Sequence, residues 1–344
     1  MDTNDYAKLE MLAYEAFIRR AATINLPFML KGSYVTRQYF NYPNDRIPAD
    51  LDWVYIGTVK NEQDARQKFN EWATVTTELE LDDHVKFRSF KENEFWRRID
   101  YAMADDFPTV NTDLQCIVND EKINFNLDIS FNLDIEPPPV PLMYRPLIGE
   151  PFLVPYSVPI SLQVSWKIHQ TLVRPRFKDL FDLIHLVQHP LFNKENLDKS
   201  LQALVNECSV DRVSPQKLKY FLSYEIEKLF HDNSIDDVWA VWRYNEKVNV
   251  YKSGVTYEEG CFLTDVSKLP NELSVFLTQF KTTLQNAGFD IHLLDNLPQP
   301  TRNKRKTFEH QSLEPETTQL NPPEVQSEPK EYWTIAHFFR KLLR

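Results

Sequence analysis

Glycine, cysteine and long hydrophobic runs are all scarce in this sequence, and each shortage excludes a class of protein. Only 6 of the 344 residues are glycine and only 3 are cysteine. The cysteines, Cys116, Cys208 and Cys261, are odd in number and scattered, which excludes a disulfide framework and a cysteine-ligated zinc site. No hydrophobic run has the length of a membrane span, and the stretch MDTNDYAKLE lacks a signal-peptide pattern. We therefore expect a cytoplasmic protein without a membrane partner.

Positive charge is also in deficit, with 39 Lys and Arg against 50 Asp and Glu and a formal net charge of −11. This balance disfavours unspecific binding of nucleic acid over the whole surface. A local basic groove is still compatible with it, because Arg174, Arg176 and Lys178 lie close together in the sequence.

Changes in composition divide the chain into five predicted segments. Alternating and amphipathic patterns predict a core domain of strands and helices at 1–136, whereas helical spacing dominates 160–295. Between them, 137–159 is rich in proline, which disfavours both helix and central strand, so we predict a stiff connector. A polar, proline-rich linker at 296–330 is expected to be disordered. The stretch 331–344 is expected to be an amphipathic helix that docks on a partner or packs on its own domain.

Asp50 and Asp52 form an acidic pair at the start of a predicted strand that ends near Ile56. Residues i and i+2 of a strand point to the same face, so the two carboxylates repel each other unless a cation lies between them. Mg²⁺ or Mn²⁺ prefers such oxygen ligands and completes its coordination with phosphate oxygens and water. The alternative is a pair of solvent-exposed acids at the start of a strand.

Gly32 and Ser33 end the preceding apolar run, which extends from Leu26 to Leu30. A glycine at the end of a strand lets the backbone approach a ligand closely. Ser33 offers a hydroxyl at a place where a following helix exposes free amide donors, which suits a phosphate. The alternative is an ordinary strand-to-helix turn with Ser33 as the N-cap.

A third acid lies in a predicted hairpin over 110–131. Asp128 falls on the polar face of the second strand, between Leu127 and Ile129. There it is placed to share a cation with Asp50 and Asp52 and to orient an attacking hydroxyl. The alternative is an exposed acid on the polar face, and Asp134 has the same strand parity, so the identity of the third acid stays open.

The helical half of the chain supplies positive charge. A helix predicted from Ser161 to Val173 carries Gln163 and Lys167 on one polar stripe. Pro175 is expected to end this helix and to leave a corner of three basic residues, Arg174, Arg176 and Lys178. Such a corner suits a triphosphate or the backbone of a nucleic acid.

Asp179 and Asp182 begin the next predicted helix. Negative charge is favourable at a helix N-terminus, so the helix dipole alone accounts for both acids. Alternatively, they pair with Lys167 and the neighbouring arginines and orient these side chains.

Taken together, these motifs resemble a known family. The resemblance rests on Gly32-Ser33, Asp50-x-Asp52, the acid in INFNLDISF, and Lys167 followed by RPRFKDLFD. In this order, over roughly residues 25–190, they resemble the nucleotidyltransferase toxins of the AbiEii/AbiGii (MenT-like) group. The resemblance implies an α+β fold: a polymerase-β-like nucleotidyltransferase mixed sheet with flanking helices, followed by a helical C-terminal domain. The loop between Ser33 and Asp50 is long for this group.

The resemblance also implies roles for individual residues. By this comparison Gly32 and Ser33 would hold the nucleotide phosphates, Lys167 would contact the triphosphate, and the metal ligands would be Asp50, Asp52 and Asp128. Lys178, Asp179 and Asp182 match the Lys-Asp-x-x-Asp element of the family, which helps to organise the site.

The function implied by the resemblance is that of a toxin in a bacterial toxin–antitoxin or phage-defence system. It would transfer a nucleotidyl group from an NTP to an acceptor, with Mg²⁺ or Mn²⁺, and release pyrophosphate. The expected acceptor is the 3′ end of tRNA, and a cognate antitoxin is an expected partner. Two alternatives stay open: nucleotidylation of a protein, and a non-catalytic nucleotide-binding interaction protein.

Overall fold

The computed structural model describes residues 3–48, 50–98, 108–133, 135–230, 235–244 and 266–301. All of them belong to one compact unit, Met1–Glu309. Asp134, the predicted docking helix at 331–344, and the part of the predicted linker beyond residue 301 lie outside the described residues. Within the described part of the chain, no helix is both long and apolar enough to cross a membrane.

One mixed sheet organises the fold. Its strands among the described residues are β1 (Phe28–Lys31), β2 (Leu51–Tyr55), β3 (Val85–Phe87), β4 (Arg97–Arg98), β5 (Thr109–Val118), β6 (Glu121–Phe131), β7 (Val140–Tyr144) and β8 (Phe152–Ser157). They lie in the order β3-β5-β6-β2-β1-β8-β7, and β4 pairs with β5. Two neighbouring pairs, β2 with β6 and β1 with β8, are parallel, and the others are antiparallel.

Helices surround this sheet and make up most of the C-terminal half. Their bounds are α1 (Thr3–Ile24), α2 (Ser33–Thr36), α3 (Glu62–Glu78), α4 (Ile160–Val173), α5 (Phe177–Gln188), α6 (Lys194–Val210), α7 (Pro215–Leu222), α8 (Ile235–Tyr244) and α9 (Leu273–Asn286). The mixed sheet with its helices confirms the predicted α+β fold class with a helical C-terminal region.

The sheet presents a hydrophobic face to α1 and α3. The ring of Trp72 in α3 lies 4.0 Å from that of Phe28 and 5.2 Å from that of Trp53, measured between centroids. Phe17 of α1 contacts the same tryptophan at 5.4 Å and Phe125 of β6 at 6.3 Å. Side chains alternate along a strand, so the residues directly before and after Phe28, Trp53 and Phe125 in their strands point to the opposite face of the sheet.

Strands β5 and β6 form the hairpin that the alternating sequence predicts. They pair in antiparallel register from Thr109↔Ser130 to Val118↔Glu121. Asn119 and Asp120 connect them with φ angles of 49° and 67°, and positive φ at both positions is typical of a two-residue hairpin turn.

The helical region has its own aromatic core. Phe177, the first residue of α5, is buried and its ring lies 5.0 Å from Trp239, 5.8 Å from Trp242 and 5.7 Å from Phe276. The start of α5 is therefore fixed by packing against α8 and α9. This matters for function because Phe177 lies between Arg176 and Lys178 of the predicted basic corner and directly precedes the segment with Asp179 and Asp182.

The proline-rich segment 137–159 differs from its prediction as a connector without strands. It contains β7 and β8, and β8 lies inside the sheet between β1 and β7. Neither Pro141 nor Pro155 has a partner in the strand register, and the register is irregular at Val140 and Leu142, beside the first of them. These strands can therefore contain proline, because the sheet needs no backbone hydrogen bond from Pro141 or Pro155. The proposed division of the chain into two domains stays a prediction.

Candidate active site

One row of polar side chains crosses four neighbouring strands. Lys31 of β1 is the register partner of Asp52 of β2. Asp52 is also the partner of Asp128 across the parallel β2–β6 pair, and Asn111 of β5 is the partner of Asp128 on its other side. Cross-strand partners share a face of the sheet and have neighbouring side chains. Two acids that are distant in the sequence, Asp52 and Asp128, therefore lie side by side.

Each of these two acids is held by a partner on its outer side. Lys31 Nζ lies 3.2 Å from Asp52 Oδ1, and the two side chains are 15% and 19% exposed. Asn111 Nδ2 donates a hydrogen bond to Asp128 Oδ1, and Arg97 in turn donates to the side-chain oxygen of Asn111. Asp128 is only 7% exposed, so it is not the solvent-exposed acid that was the alternative.

The turn after β1 approaches Asp52 so closely that it requires glycine. Gly32 has a φ of 73°, and a Cβ atom added there would lie 2.2 Å from Asp52 Oδ2. Any other residue would both strain the backbone and displace this carboxylate. The scarcity of glycine in the sequence thus pointed to a position where no other residue fits.

Ser33 is the first residue of α2 and does not cap it. Gly32 occupies the N-cap position, and no side chain caps the helix. The hydroxyl of Ser33 instead lies 3.4 Å from Asp50 Oδ1. Asp50 is exposed and immediately precedes β2. The structure therefore links the Gly32-Ser33 turn to both acids of the predicted pair.

Gln163 of α4 fixes this turn from the helical side. Its Nε2 donates to the carbonyl oxygen of Gly32 at 3.1 Å and to Thr36 Oγ1 at 2.6 Å. Gln163 is buried, and it lies one helical turn before Lys167 on the same face of α4. One stripe of α4 thus contacts both the turn and the buried ion pairs described next.

A buried cluster of ion pairs surrounds Lys167. Its Nζ lies 2.7 Å from Asp179 Oδ1 and 2.9 Å from Asp182 Oδ2. Arg46 Nε lies 3.0 Å from Asp182 Oδ1, and Arg176 Nε lies 2.7 Å from Asp179 Oδ2. Both acids are fully buried. The structure thus shows the pairing of Asp179 and Asp182 that was one of the two predicted explanations.

The electrostatics of this cluster favour charged side chains. Burial by itself would raise the pKa of Asp182, but the positive charges of Arg46 and Lys167 outweigh it and the pKa is lowered. The pKa of Asp179 is lowered in the same way, by Arg176 and Lys167 against burial. Lys167 is nearly fully buried and its ammonium is engaged by both carboxylates. Its predicted contact with a triphosphate stays a prediction.

The basic corner has the predicted shape. Helix α4 ends at Val173 and α5 begins at Phe177. Arg174 is exposed in the connection between the helices, whereas Arg176 and Lys178 are half-buried. Arg174 is therefore the most exposed cation of this corner, and Arg176 pairs with Asp179.

Negative charge accumulates at Asp52. Burial raises the pKa of Asp52, and the nearby carboxylate of Asp50 raises it further, whereas Lys31 and Lys167 oppose the shift. The effect of Lys167 shows that the ion cluster is close enough to influence the polar row.

Helix α1 brings a fourth carboxyl group towards the acids of the row. Burial raises the pKa of Tyr14 well above its usual value, and the charges of Glu10, Asp50 and Asp128 contribute to this shift. Burial also raises the pKa of Glu10 from 4.5 to about 7. Glu10 is part of an ordinary amphipathic helix, and nothing in its sequence context distinguishes it from a surface acid.

The acids of the row fit a partial site for a hard divalent cation. Among the described residues, no three side chains of His, Cys, Asp or Glu form a group that could hold a metal ion. The predicted trio of Asp50, Asp52 and Asp128 is thus not preassembled. Mg²⁺ commonly binds through one or two carboxylates and takes its other ligands from phosphates and water. The adjacent carboxylates of Asp52 and Asp128 match that pattern.

Comparison with known proteins finds one matching family and several similar solved structures. Residues 17–241 match the family described as "Nucleotidyl transferase AbiEii toxin, Type IV TA system". The chain is similar to JHP933 from Helicobacter pylori, with 13% identity and a TM-score of 0.46 over 83% of this chain and 95% of that one. It is also similar to MenT4, a nucleotidyltransferase toxin from Mycobacterium tuberculosis H37Rv, with 12% identity and a TM-score of 0.48 over 86% and 92%. A comparison with curated proteins found no match.

Replacing Gly32 by alanine is expected to destabilise the protein by about 3 kcal/mol or more, because backbone strain and the clash with Asp52 add together. Gly149→Ala is the matched control: Gly149 has a φ of 90°, but the nearest atom to an added Cβ is 3.8 Å away. Strain alone predicts a loss of about 1 kcal/mol there. Urea unfolding measures both values, and equal losses would contradict the clash.

Arg46→Met is expected to lower the free energy of unfolding by about 3–5 kcal/mol, because it removes one partner of the buried Asp182. Arg66→Met is the control, since Arg66 forms an exposed ion pair with Glu62, and its loss should be within about 0.5 kcal/mol. Urea unfolding at neutral pH measures both. A similar small loss for the two variants would show that Asp182 does not depend on Arg46.

Glu10→Gln is expected to remove a pH dependence of stability. With its pKa raised from 4.5 to about 7, folded Glu10 binds a proton more tightly than the unfolded chain does. Its contribution is complete below the unfolded pKa and is lost as the pH rises towards 7. Between about pH 5 and about pH 8, wild type should lose about 1–3 kcal/mol relative to the variant. The exposed Glu121→Gln serves as control, and parallel pH profiles for wild type and Glu10→Gln would contradict the prediction.

Proposed function

Because the chain belongs to the AbiEii family of nucleotidyltransferase toxins, we propose that it transfers a nucleotidyl group from an NTP to an acceptor and releases pyrophosphate. The observation that carries this proposal is the parallel register that sets Asp52 beside Asp128. The Gly32-Ser33 turn lies against Asp52 of β2 and against Asp50, which precedes that strand. The polar row therefore combines adjacent carboxylates with a close approach of the backbone, as binding of a metal-bound polyphosphate requires.

We propose that Asp52 and Asp128 hold Mg²⁺ or Mn²⁺, with Asp50 as an additional ligand. When bound, such ions neutralise phosphate charge and lower the pKa of a coordinated hydroxyl. Asn111 keeps Asp128 oriented through its hydrogen bond. Gly32 brings the backbone of its turn against Asp52, and Gln163 holds that turn in place. The chain's own contribution is thus mainly to position and orient the reacting groups.

Lys167 and the basic corner supply positive charge to the phosphates in this proposal. Lys167 lies close enough to affect Asp52, and Asp179 and Asp182 hold its side chain in place. Arg174, Arg176 and Lys178 are proposed to bind the triphosphate or the acceptor, with Arg174 the most accessible. A small basic corner on an acidic chain suits the end of an RNA better than a long duplex.

For the acceptor we propose the 3′ end of tRNA, and for the location of the reaction the cytoplasm. Modified tRNA would arrest growth, so the chain would act as a toxin. A cognate antitoxin would bind the chain and prevent this. The family description supports the toxin class. Nucleotidylation of a protein would use the same residues and differ only in the acceptor. A non-catalytic nucleotide-binding protein would keep the fold, but it would have no need for two adjacent carboxylates in register.

Incubation of the full chain with each labelled NTP, Mg²⁺ and total RNA tests this function. Wild type should label RNA, and Asp52→Asn or Asp128→Asn should reduce transfer by about 10²–10³-fold, the usual effect of losing one stabilising group. Asp198→Asn is the control, because Asp198 forms an exposed ion pair with Lys194 on α6, away from the polar row. It should retain activity within about twofold.

The outcomes distinguish the alternatives. Label in protein with none in RNA would support nucleotidylation of a protein. Binding of NTP without transfer to either, for all four nucleotides, would contradict the enzymatic proposal and favour a non-catalytic protein. Full activity of both Asp52→Asn and Asp128→Asn would show that the polar row is not the active site.

A further inference from the structure

Lys31 contacts the proposed catalytic acid Asp52, and the family motifs do not include it. It is the last residue of β1, its register partner is Asp52, and its ammonium lies 3.2 Å from Asp52 Oδ1. Both side chains are mostly buried, so water screens this ion pair only weakly. A lysine in contact with a proposed metal ligand needs an explanation, because a divalent cation at the same carboxylate would repel it.

Each of the two carboxylates of the row contacts a partner on its outer side. Asp52 directs Oδ1 to Lys31, and its Oδ2 lies against the backbone of Gly32, which follows Lys31. Both of these contacts are at the end of β1. Asp128 accepts a hydrogen bond from Asn111 of β5, on the opposite side of the row. A cation shared by Asp52 and Asp128 would have to draw the Asp52 carboxylate away from Lys31.

The charges near Lys31 favour a change of partner. The ammonium of Lys31 compensates part of the negative charge at Asp52, on which the charge of Asp50 also acts. An incoming metal-bound triphosphate brings both a stronger cation for Asp52 and new negative oxygens beside the Gly32 turn. Lysine is suited to such a change because its charge is compact and its stem is flexible.

We propose that Lys31 is a resident counter-ion of Asp52, which competes with the divalent cation and moves to the polyphosphate when the cation binds. This inference rests on the proposed function of the same site. Lys31 thereby acts as a positioning residue in the empty site, where it keeps Asp52 ordered, and as a phosphate-binding residue in the loaded one. It also makes metal binding depend on nucleotide, since the polyphosphate offers Lys31 a new partner.

The test measures binding of Mn²⁺ alone, by electron paramagnetic resonance, to the full chain without nucleotide. Lys31→Met and Lys31→Gln remove the competing charge and should bind Mn²⁺ roughly five- to tenfold more tightly than wild type. Lys68→Met is the matched control: Lys68 forms a Lys–Asp pair with Asp64 on α3, with 29% and 23% exposure. It should bind Mn²⁺ as wild type does. Circular dichroism confirms that each variant is folded.

A second measurement follows the polyphosphate. Inorganic tripolyphosphate with Mn²⁺ is a probe that is independent of the base, and it should bind roughly tenfold more weakly to Lys31→Met than to wild type. In an Asp52→Asn background, replacement of Lys31 should no longer tighten Mn²⁺ binding, because the shared carboxylate is gone.

Unchanged or weaker Mn²⁺ binding by both Lys31 variants would overturn the inference, and so would no detectable binding by any of the proteins. Persistence of the effect in the Asp52→Asn background, or unchanged binding of tripolyphosphate, would overturn it as well. The transfer assay on wild type distinguishes this failure from failure of the proposed function. An active wild type with unchanged Mn²⁺ binding in the variants refutes only the role of Lys31.

Discussion

The register between β2 and β6 is the constraint on which the candidate site depends. It pairs Asp52 with Asp128, and a slip of one residue would turn one of them to the opposite face. The register is set by the other face of the sheet, where Trp53 and Ile129 are buried as neighbouring partners beneath α1 and α3. Hydrophobic packing on one side therefore determines which carboxylates meet on the other. The same packing holds the carboxylates of Asp52 and Asp128 together although they repel each other. Lys31 and Asn111, at the two ends of the row, reduce this repulsion.

The helical half of the chain completes the site by holding the segments around this row. Gln163 binds the Gly32 turn, and Arg46 ties the loop before Asp50 to Asp182 on α5. The segment between Ser33 and Asp50 is thus anchored by a buried ion pair. Since Lys167 also pairs with Asp182, a single acid links the loop to the lysine of α4. Rigid positioning of this kind is what transfer of a phosphoryl-type group requires.

Sequence patterns predicted the local features of this site well, but they predicted poorly which side chains contact each other across the fold. The alternation along β6 correctly predicted that Asp128 and Phe125 lie on opposite faces of the sheet. The rarity of glycine correctly indicated that Gly32 has a special position. By contrast, the contacts of Lys31, Asn111 and Arg46 depend on strand register and on a loop that folds back on α5, which local sequence does not determine. The prolines of 137–159 led to the prediction of a connector, and the segment nevertheless contains two strands. A proline excludes a ladder hydrogen bond at its own position, but it does not exclude the strand as a whole.

The central claim is that Asp52 and Asp128 share a divalent cation in the loaded site. Anomalous X-ray diffraction from crystals grown with Mn²⁺ and a non-hydrolysable NTP analogue tests it most directly. The account predicts a manganese peak within coordination distance of both carboxylates, with Lys31 turned towards the phosphates. Manganese and nucleotide bound elsewhere, with Asp52 still paired to Lys31, would contradict it.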